Sequence, residues 1–211
     1  MQKRDIGALT GALFVVLVLV AFIPLGGNTP DGDASARKVV SFYSDNDTRE
    51  MIAAVVLALS AVPLLYFTAI LRDRLRAALP DRSVIPAFAL GGGVVAAGGF
   101  VTAATLHFAL ADYAGDIQPA AAQAINALDG DFFLPFTTGL GVLVLASSVG
   151  AIRTGILPKW LGWVGVVLFV AYFTPAGFLS FGLTGIWIIV VSVMLYTRGP
   201  TARATSPGAP A

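Results

Sequence analysis

The chain has 211 residues, of which 57% are hydrophobic and only 12% are charged, and its mean hydropathy is +0.84. In soluble domains about a quarter of the residues are charged, so this composition excludes an ordinary soluble domain. The formal net charge of +1 gives no indication of a nucleic-acid partner. Because the chain contains no cysteine, it has no disulfide, no thiolate metal site and no thiol nucleophile.

Long charge-free runs predict membrane-spanning helices, because a bilayer core about 30 Å thick requires about 20 apolar residues per helix. The last run, 160–197, is too long for one span, and the turn sequence Thr-Pro-Ala-Gly at 174–177 divides it. We therefore predict an all-α, polytopic transmembrane helix bundle that forms a single domain, 1–198, followed by a disordered cytoplasmic tail, 199–211. The six predicted spans are approximately 6–25, 51–71, 86–111, 132–152, 158–173 and 178–197.

The first of these runs follows a basic start, so a cleaved signal peptide is an alternative to a span. Its apolar core from Ile6 to Leu25 is long for a signal peptide, and no A-x-A-like cleavage site follows it. We therefore expect a retained span.

Lysines and arginines are distributed unequally between the two sides of the predicted bundle. If the N-terminus is inside, ten of them fall in inner segments and three in outer segments, and such positive segments mark the cytoplasmic side. We therefore predict that both the N- and C-termini are cytoplasmic. The inner group is Lys3, Arg4, Arg72, Arg74, Arg76, Arg82, Arg153, Lys159, Arg198 and Arg203, and the outer group is Arg37, Lys38 and Arg49.

Two outer loops are longer than a tight connection requires, and each predicts a short amphipathic helix on the outer surface. Asp33 is the predicted N-cap of the first helix, and the second is predicted from Pro119 to Leu128. The two helices are either ordered linkers packed on the bundle or a lid over an outward-facing cavity. The aligned apolar residues are Val39, Phe42 and Tyr43 in the first helix and Ala121, Ile125 and Leu128 in the second.

The acidic residues are predicted to lie outside the spans. Asp47 and Glu50 have the spacing of a capping box before the second span. Since no aspartate or glutamate falls within a predicted span, we expect no pair of intramembrane carboxylates for acid–base chemistry or ion coupling. A hard-cation site is an alternative for the outer carboxylates, but their spacing matches no EF-hand loop, and we predict no metal. These carboxylates are Asp112, Asp116, Asp129 and Asp131.

The third predicted span carries a stripe of small residues and the only histidine of the chain, His107. The stripe permits close contact between helices, so we expect this span at the centre of the bundle. His107 follows the stripe by one turn and is predicted to lie just below the outer surface. The stripe consists of Gly92, Ala96, Gly99 and Ala103.

The sequence allows two interpretations of His107. In the structural one, its imidazole bonds a carbonyl, a hydroxyl or a loop carboxylate across a helix contact. In the functional one, it contacts a ligand or a proton beneath the outer helices, because an intramembrane ionisable residue is a functional candidate by default. Haem ligation together with Met51 is a further alternative, but we predict no cofactor. The candidate ligand-binding residues are His107, Thr102, Thr105 and Tyr113.

Four arginines between the second and third spans form a juxtamembrane basic cluster. Such clusters bind anionic lipid headgroups, although the positive-inside bias alone also produces them. We predict anionic-lipid contact at Arg72, Arg74, Arg76 and Arg82.

Three segments of the sequence are distinctive: PDGDASARKVVSFYSDNDTRE at 30–50, LRDRLRAALPDR at 71–82 and LPKWLGWVG at 157–165. Together they resemble an uncharacterised family of small six-span integral membrane proteins from GC-rich bacteria. The resemblance implies a six-span bundle in the bacterial inner membrane. It implies no activity and no site residue, because no activity is established for that family.

The motifs H-E-x-x-H, G-x-S-x-G and G-x-x-x-x-G-K-[ST] do not occur in the sequence, and we expect no enzymatic activity. The predicted function is that of a non-catalytic membrane module that binds a lipid, a small apolar ligand or a partner protein. The alternative is a small transporter or permease component for a neutral or lipidic substrate. The expected partners are membrane lipids, with a protein partner or a homo-oligomer as further candidates.

Overall fold

The computed structural model describes residues 5–198, so Lys3, Arg4 and the predicted tail at 199–211 lie outside the described residues. The described residues are 83% helical, and no strand occurs between residues 5 and 198. The prediction of an all-α fold is confirmed.

The helices follow one another with short connections over the described part of the chain. The first helix is prolonged at its start by a 3₁₀ turn, Ile6–Leu9, and at its end by a π turn, Ala21–Leu25. The helices are α1 (Thr10–Val20), α2 (Ala36–Ala78), α3 (Ile85–Tyr113), α4 (Pro119–Asp131), α5 (Leu134–Thr154), α6 (Lys159–Ala171) and α7 (Gly177–Arg198).

Five helical segments are long and apolar enough to cross a membrane: Ile6–Leu25, α2, α3, α4 together with α5, and α7. α6 is apolar but has only 13 residues. At 1.5 Å per residue it is about 20 Å long, which is less than a bilayer core of about 30 Å. The sixth predicted span is therefore not confirmed, and a total of six crossings stays a prediction.

α3 packs between α2 and α5 and is the central helix of the bundle. Its contact with α5 is made by backbone atoms: a Cβ atom added at Gly92 would lie 2.5 Å from the Leu143 nitrogen, and one added at Gly99 would lie 2.6 Å from the Phe136 nitrogen. Small residues allow transmembrane helices to approach this closely. The predicted role of the small-residue stripe is confirmed.

The two ends of the bundle carry different charged residues, and we name them accordingly. The histidine end carries His107 and α4. The arginine end is formed by the end of α2, the start of α3 and the connection from α5 to α6, and it carries Arg82 and Arg153. α5 ends there at Thr154 and is capped by Gly155, whose φ of 73° is the left-handed conformation that favours glycine at a helix C-cap.

Both ends of the described chain lie at the arginine end. Asp5 Oδ2 binds Arg74 Nη2 at 2.9 Å, which holds the start of the first helical segment beside the end of α2. Arg198 Nη1 donates to the Ile156 carbonyl at 2.6 Å, which holds the end of α7 beside the α5–α6 connection. The first and last described helices therefore begin and end on the same side of the bundle.

The first predicted outer helix is the beginning of α2. Its N-cap is Ser35, whose Oγ accepts a hydrogen bond from the Lys38 backbone N–H at 3.4 Å. The predicted cap Asp33 is therefore wrong, because the helix starts at the residue after Ser35. Val39 and Tyr43 are buried, so this helix packs its predicted apolar side on the bundle.

α2 continues from this outer part into the second predicted span without a separating loop. Asn46 alone has non-helical dihedral angles, with φ −128° and ψ 15°. Its Nδ2 donates to the Phe42 carbonyl at 2.8 Å, so a side chain satisfies a backbone acceptor at this kink. The outer helix and the span are consequently one kinked helix.

The second outer helix is α4, which ends three residues later than predicted, at Asp131. Its buried residues are Ala122 and Asn126, whereas Leu128 is exposed. Ile125 of the predicted face is half-buried and packs against the bundle, but the face as a whole is rotated from the predicted one because polar side chains attach this helix to the bundle. The face predicted to pack was Ala121, Ile125 and Leu128.

Candidate functional site

His107 is the centre of a charge cluster at the histidine end. It projects from α3 between α2 and α4, and its side chain is 13% exposed. Its Nε2 lies 2.9 Å from Glu50 Oε2, and its Nδ1 lies 2.8 Å from Asp129 Oδ2. Both ring nitrogens are therefore occupied by carboxylates from two other helices, an arrangement that fits the structural interpretation of this residue.

Glu50 is completely buried. Its Oε1 accepts hydrogen bonds from Arg49 Nε at 3.0 Å and Arg49 Nη2 at 2.6 Å, while its Oε2 binds His107. The predicted capping box with Asp47 is wrong, because charged side chains engage both carboxylate oxygens. Glu50 lies one residue before the predicted second span and inside α2. The expectation that no carboxylate falls within a span therefore stays a prediction, although the helix that contains the second span begins before Glu50.

The sequence does contain a signal for the burial of Glu50. Residues seven positions apart lie on the same side of a helix, two turns from each other. A series at this interval runs along α2, and every member of it is buried. Its charged member, Glu50, follows the polar segment 44–49. The charge-free run that predicts the second span begins only at the next residue, so Glu50 was assigned to the loop. The series is Tyr43, Glu50, Leu57, Leu64 and Leu71.

The charge state of the cluster follows from its hydrogen bonds. An ionised carboxylate only accepts hydrogen bonds, and a neutral imidazole donates from one nitrogen only. With Glu50 and Asp129 ionised, His107 must donate from both nitrogens and is therefore an imidazolium. Because Arg49 adds a second positive charge, two positive charges balance two negative ones, which is the pairing that buried charges require.

Aromatic side chains of the outer part of α2 cover the cluster. The Tyr43 ring is fully buried and stands edge-on to the His107 ring, with the two centroids 5.7 Å apart. The Tyr43 hydroxyl has no hydrogen-bond partner among the described residues. The Arg49 guanidinium lies 5.8 Å from the centroid of the Phe42 ring, a cation–π contact. These rings limit the access of water to the charges.

Polar side chains on successive turns of α4 attach this helix to the bundle. Gln123 Nε2 and Asn126 Nδ2 donate to carbonyls of the loop before α2, at 2.9 and 3.0 Å. Asp129 follows at the same spacing and binds His107. Residues three apart are neighbours on a helix surface, so the three side chains act from one side. They support the interpretation of the outer helices as ordered linkers packed on the bundle.

The structure does not gather the four predicted ligand-binding residues around one space. Thr102 and Thr105 are exposed, and their hydroxyls donate to carbonyls within α3 at 2.9 and 2.8 Å. Tyr113 is exposed at the end of α3. Since carboxylates occupy both nitrogens of His107, haem ligation with Met51 does not fit this arrangement. Ligand binding by the set stays a prediction.

The four outer carboxylates proposed as alternatives for a cation site are dispersed. Asp129 binds His107, whereas Asp112, Asp116 and Asp131 are exposed. No group of three or more side chains able to hold a metal ion occurs within residues 5–198.

The four arginines of the predicted basic cluster differ in their contacts. Arg72 and Arg74 form ion pairs with aspartates at 2.8 and 2.9 Å. Arg76 and Arg82 are exposed and form no ion pair with another residue between 5 and 198. Contact of these arginines with anionic lipid stays a prediction, and Arg82 is the one that lines a cavity.

Among the cavities on the surface of the bundle, two lie beside residues discussed above. The α2–α3 groove, of about 200 Å³, lies beside the charge cluster and is lined by Ala54, Val55, Ala58, Ala104, Thr105 and Phe108. The arginine pocket, of about 720 Å³, lies at the opposite end and is lined by residues 78–80, 82–83, 153 and 154.

The fold and the charge cluster define a class: an all-α bundle, compatible with integration into a membrane, whose helices are tied together at one end by buried charges. Comparison of the chain with protein-family models, curated proteins and solved structures gave no match. The resemblance to a bacterial six-span family therefore stays a prediction.

Proposed function

We propose that this chain is a multi-pass protein of the bacterial cytoplasmic membrane that binds a lipid acyl chain in the α2–α3 groove without catalysing a reaction. The observation that carries the proposal is the groove itself. It is lined mainly by apolar residues, and Val55 and Phe108 at its edges are 47% and 37% exposed. In a membrane, these edges face the hydrocarbon chains of the bilayer.

The size of the groove favours a single chain. Pockets for drug-sized ligands have volumes of about 300–1,000 Å³, so a groove of about 200 Å³ suits one hydrocarbon chain better than a compact ligand. Ala54 and Ala104 are buried and leave the space that larger side chains would fill. Because lipid is already in an apolar medium, van der Waals packing rather than the hydrophobic effect provides the affinity.

The proposed orientation rests on charge and on the position of the chain ends. Positive residues mark the cytoplasmic side, so we assign the arginine end and both termini to the cytoplasm. A chain whose two ends lie on one side crosses an even number of times, which supports a sixth crossing through α6. Ser180 Oγ of α7 donates to the Leu168 carbonyl of α6 at 2.7 Å, so these helices pack as a hairpin.

Two tryptophan substitutions at neighbouring positions test the groove. Ala58→Trp places an indole in the groove, whereas Leu59→Trp places it on the adjacent surface, where Leu59 is 54% exposed. The wild type and each variant are titrated with phosphatidylcholine in neutral detergent. The number of lipid molecules bound per protein is counted by native mass spectrometry. We expect Ala58→Trp to retain one lipid fewer than the wild type and Leu59→Trp to retain the same number. Equal retention in all three proteins would contradict the proposal.

The charge cluster favours transport as a second candidate function. Glu50, His107 and Asp129 form a continuous hydrogen-bonded row, and Asp129 is 16% exposed at its outer end. Rows of ionisable residues serve as proton relays in membrane transporters. The row therefore supports a small transporter for a neutral or lipidic substrate that is coupled to protons.

An acid pulse applied to proteoliposomes tests this second candidate. Proton entry, reported by an internal pH-sensitive dye, is expected with the wild-type chain and not with Glu50→Gln. Asp131→Asn is the control, because Asp131 is exposed and does not belong to the row. Equal proton entry into empty liposomes and into those that contain the wild-type chain would contradict proton transfer along the row.

A further inference from the structure

The arginine pocket lies at the opposite end of the bundle from the groove and has a different chemistry. The connection from α2 to α3 forms one wall, and the end of α5 forms the other. Arg82 and Arg153, one from each wall, both line it. Neither forms an ion pair with an acidic residue in the described part of the chain.

The charges around the pocket sum to a positive value. The two guanidinium groups contribute two full positive charges, and the exposed Asp81 contributes one negative charge without pairing with either of them. The start of α3 adds about half a positive charge, and the ends of α2 and α5 each add about half a negative charge. The helix ends together leave about half a negative charge, so the two arginines keep the total charge around the pocket positive.

The position of the pocket relative to the apolar surface indicates the kind of anion. Val84 and Phe88 follow the pocket wall at the start of α3 and are 66% and 62% exposed. Beyond the opposite wall, Trp160 at the start of α6 is 60% exposed, and exposed tryptophans mark the membrane–water interface. The pocket therefore lies where polar headgroups meet hydrocarbon chains.

We propose that the arginine pocket binds the phosphate group of an anionic membrane lipid, with Arg82 and Arg153 as its donors. A guanidinium group offers paired N–H donors that match a phosphate, and Ser83 on the same wall adds a hydroxyl. The lipid's chains then lie along the exposed apolar surface at Val84 and Phe88. This assignment excludes Arg72 and Arg74 as principal contacts, because aspartates already bind them.

The test uses the full chain in neutral detergent, titrated with dioleoylphosphatidylglycerol, with dioleoylphosphatidylcholine and with inorganic phosphate. The variant R82Q/R153Q removes both donors. The control R76Q/K159Q removes two exposed charges at the same end of the bundle that do not line the pocket. We expect R82Q/R153Q to weaken phosphatidylglycerol binding at least about tenfold, which equals 1.4 kcal/mol, and the control to change it less than about threefold, as for exposed surface charges.

Each result bears on the proposal. Equal weakening in both variants would show a diffuse surface charge, and no weakening in either would show that the pocket is unused; both results overturn the proposal. If inorganic phosphate binds and R82Q/R153Q abolishes that binding alone, the occupant is free phosphate and not a lipid. Should R82Q/R153Q fail to fold, R82K/R153K keeps the charges without the paired donors, and it is expected to weaken phosphatidylglycerol binding selectively.

Discussion

Glu50 and His107 are 57 residues apart in the chain and are joined by a 2.9 Å bond between Oε2 and Nε2. The bond ties α2 to α3 where Glu50 has no exposure to solvent. A buried carboxylate is tolerated only when it is paired and hydrogen-bonded. The structural role of His107 is therefore to neutralise Glu50.

Replacement of His107 by Ala should strongly destabilise the protein. The substitution leaves the buried Glu50 with Arg49 as its only charged partner. We expect the free energy of unfolding to fall by about 3 kcal/mol, the lower part of the range for breaking a buried ion pair. Thermal unfolding followed by tryptophan fluorescence, together with urea titration, measures the change. A loss of less than about 0.5 kcal/mol, typical of a surface substitution, would contradict a neutralising role.

A double-mutant cycle isolates the energy of the Glu50–His107 bond from the effects that each substitution has on its other neighbours. Glu50→Gln and His107→Gln keep side chains of similar size while removing both charges. Because the two residues interact directly, the double variant should lose less stability than the sum of the two single variants, by about 1 kcal/mol or more. Strict additivity would mean that the bond contributes nothing of its own.

Asp129→Asn should loosen α4 while leaving the rest of the bundle folded. A neutral amide accepts a weaker hydrogen bond from the imidazolium, and bonds to charged groups contribute about 1.5–3 kcal/mol. We expect faster amide hydrogen exchange along α4 and unchanged exchange in α5. Asp131→Asn is the matched control, since Asp131 is exposed on the same helix. Identical exchange in the two variants would show that Asp129 does not hold α4.

The glycines of α3 provide a comparison between neighbouring positions. A Cβ atom at Gly92 or Gly99 would meet α5 backbone atoms at 2.5–2.6 Å, whereas Gly91 and Gly98 face open space. We expect Gly92→Ala and Gly99→Ala each to cost about 1–3 kcal/mol through overpacking. Gly91→Ala and Gly98→Ala should instead stabilise the helix by up to about 1 kcal/mol. Thermal unfolding of the four variants distinguishes the two classes, and equal effects would argue against the α3–α5 contact.

Tyr43→Phe should be tolerated. The Tyr43 hydroxyl is buried without a hydrogen-bond partner among the described residues, so its removal loses no bond and relieves an unsatisfied polar group. We expect an unchanged or slightly higher melting temperature. Tyr43→Ala, in contrast, should cost about 3–5 kcal/mol, as for other large aromatic deletions. A lower melting temperature for Tyr43→Phe would reveal a role of the hydroxyl in the cluster.

Single cysteines test the proposed orientation, because the chain has none of its own. Exposed positions are available at both ends: Asp33 and Ala124 at the histidine end and Arg76 and Asp81 at the arginine end. In intact cells, a membrane-impermeant thiol reagent should label the first two cysteines and spare the second two. Labelling of all four after lysis is the control, and the opposite pattern would invert the orientation.

Hydropathy and helix periodicity predicted most of the fold. The charge-free runs located the apolar segments, and the small-residue stripe identified α3 as the central helix. Both are local properties of a helix that follow from its sequence alone. α6 was the exception: the composition of 158–173 suits a span, but the helix is too short because its residues after Ala171 form a turn.

The charge cluster was predicted only in part. A loop carboxylate was among the partners considered for His107, and Asp129 is such a partner. Glu50 was missed because the polar segment before it resembles a loop, although its position in the series with Tyr43 and Leu57 marks it as buried. Likewise, the packed face of α4 follows from tertiary hydrogen bonds of Asn126, which an apolar pattern cannot represent.

The order of Arg49, Glu50, His107 and Asp129 along the chain determines when the charge cluster can form during translation. Arg49 and Glu50 emerge together and bind each other directly. When α3 follows, His107 can donate to Glu50 from Nε2, but the partner of its Nδ1 does not exist until Asp129 has been made. A nascent chain interrupted between α3 and α4 thus leaves one ring nitrogen of His107 without its carboxylate, so the cluster is completed only when translation has passed residue 129.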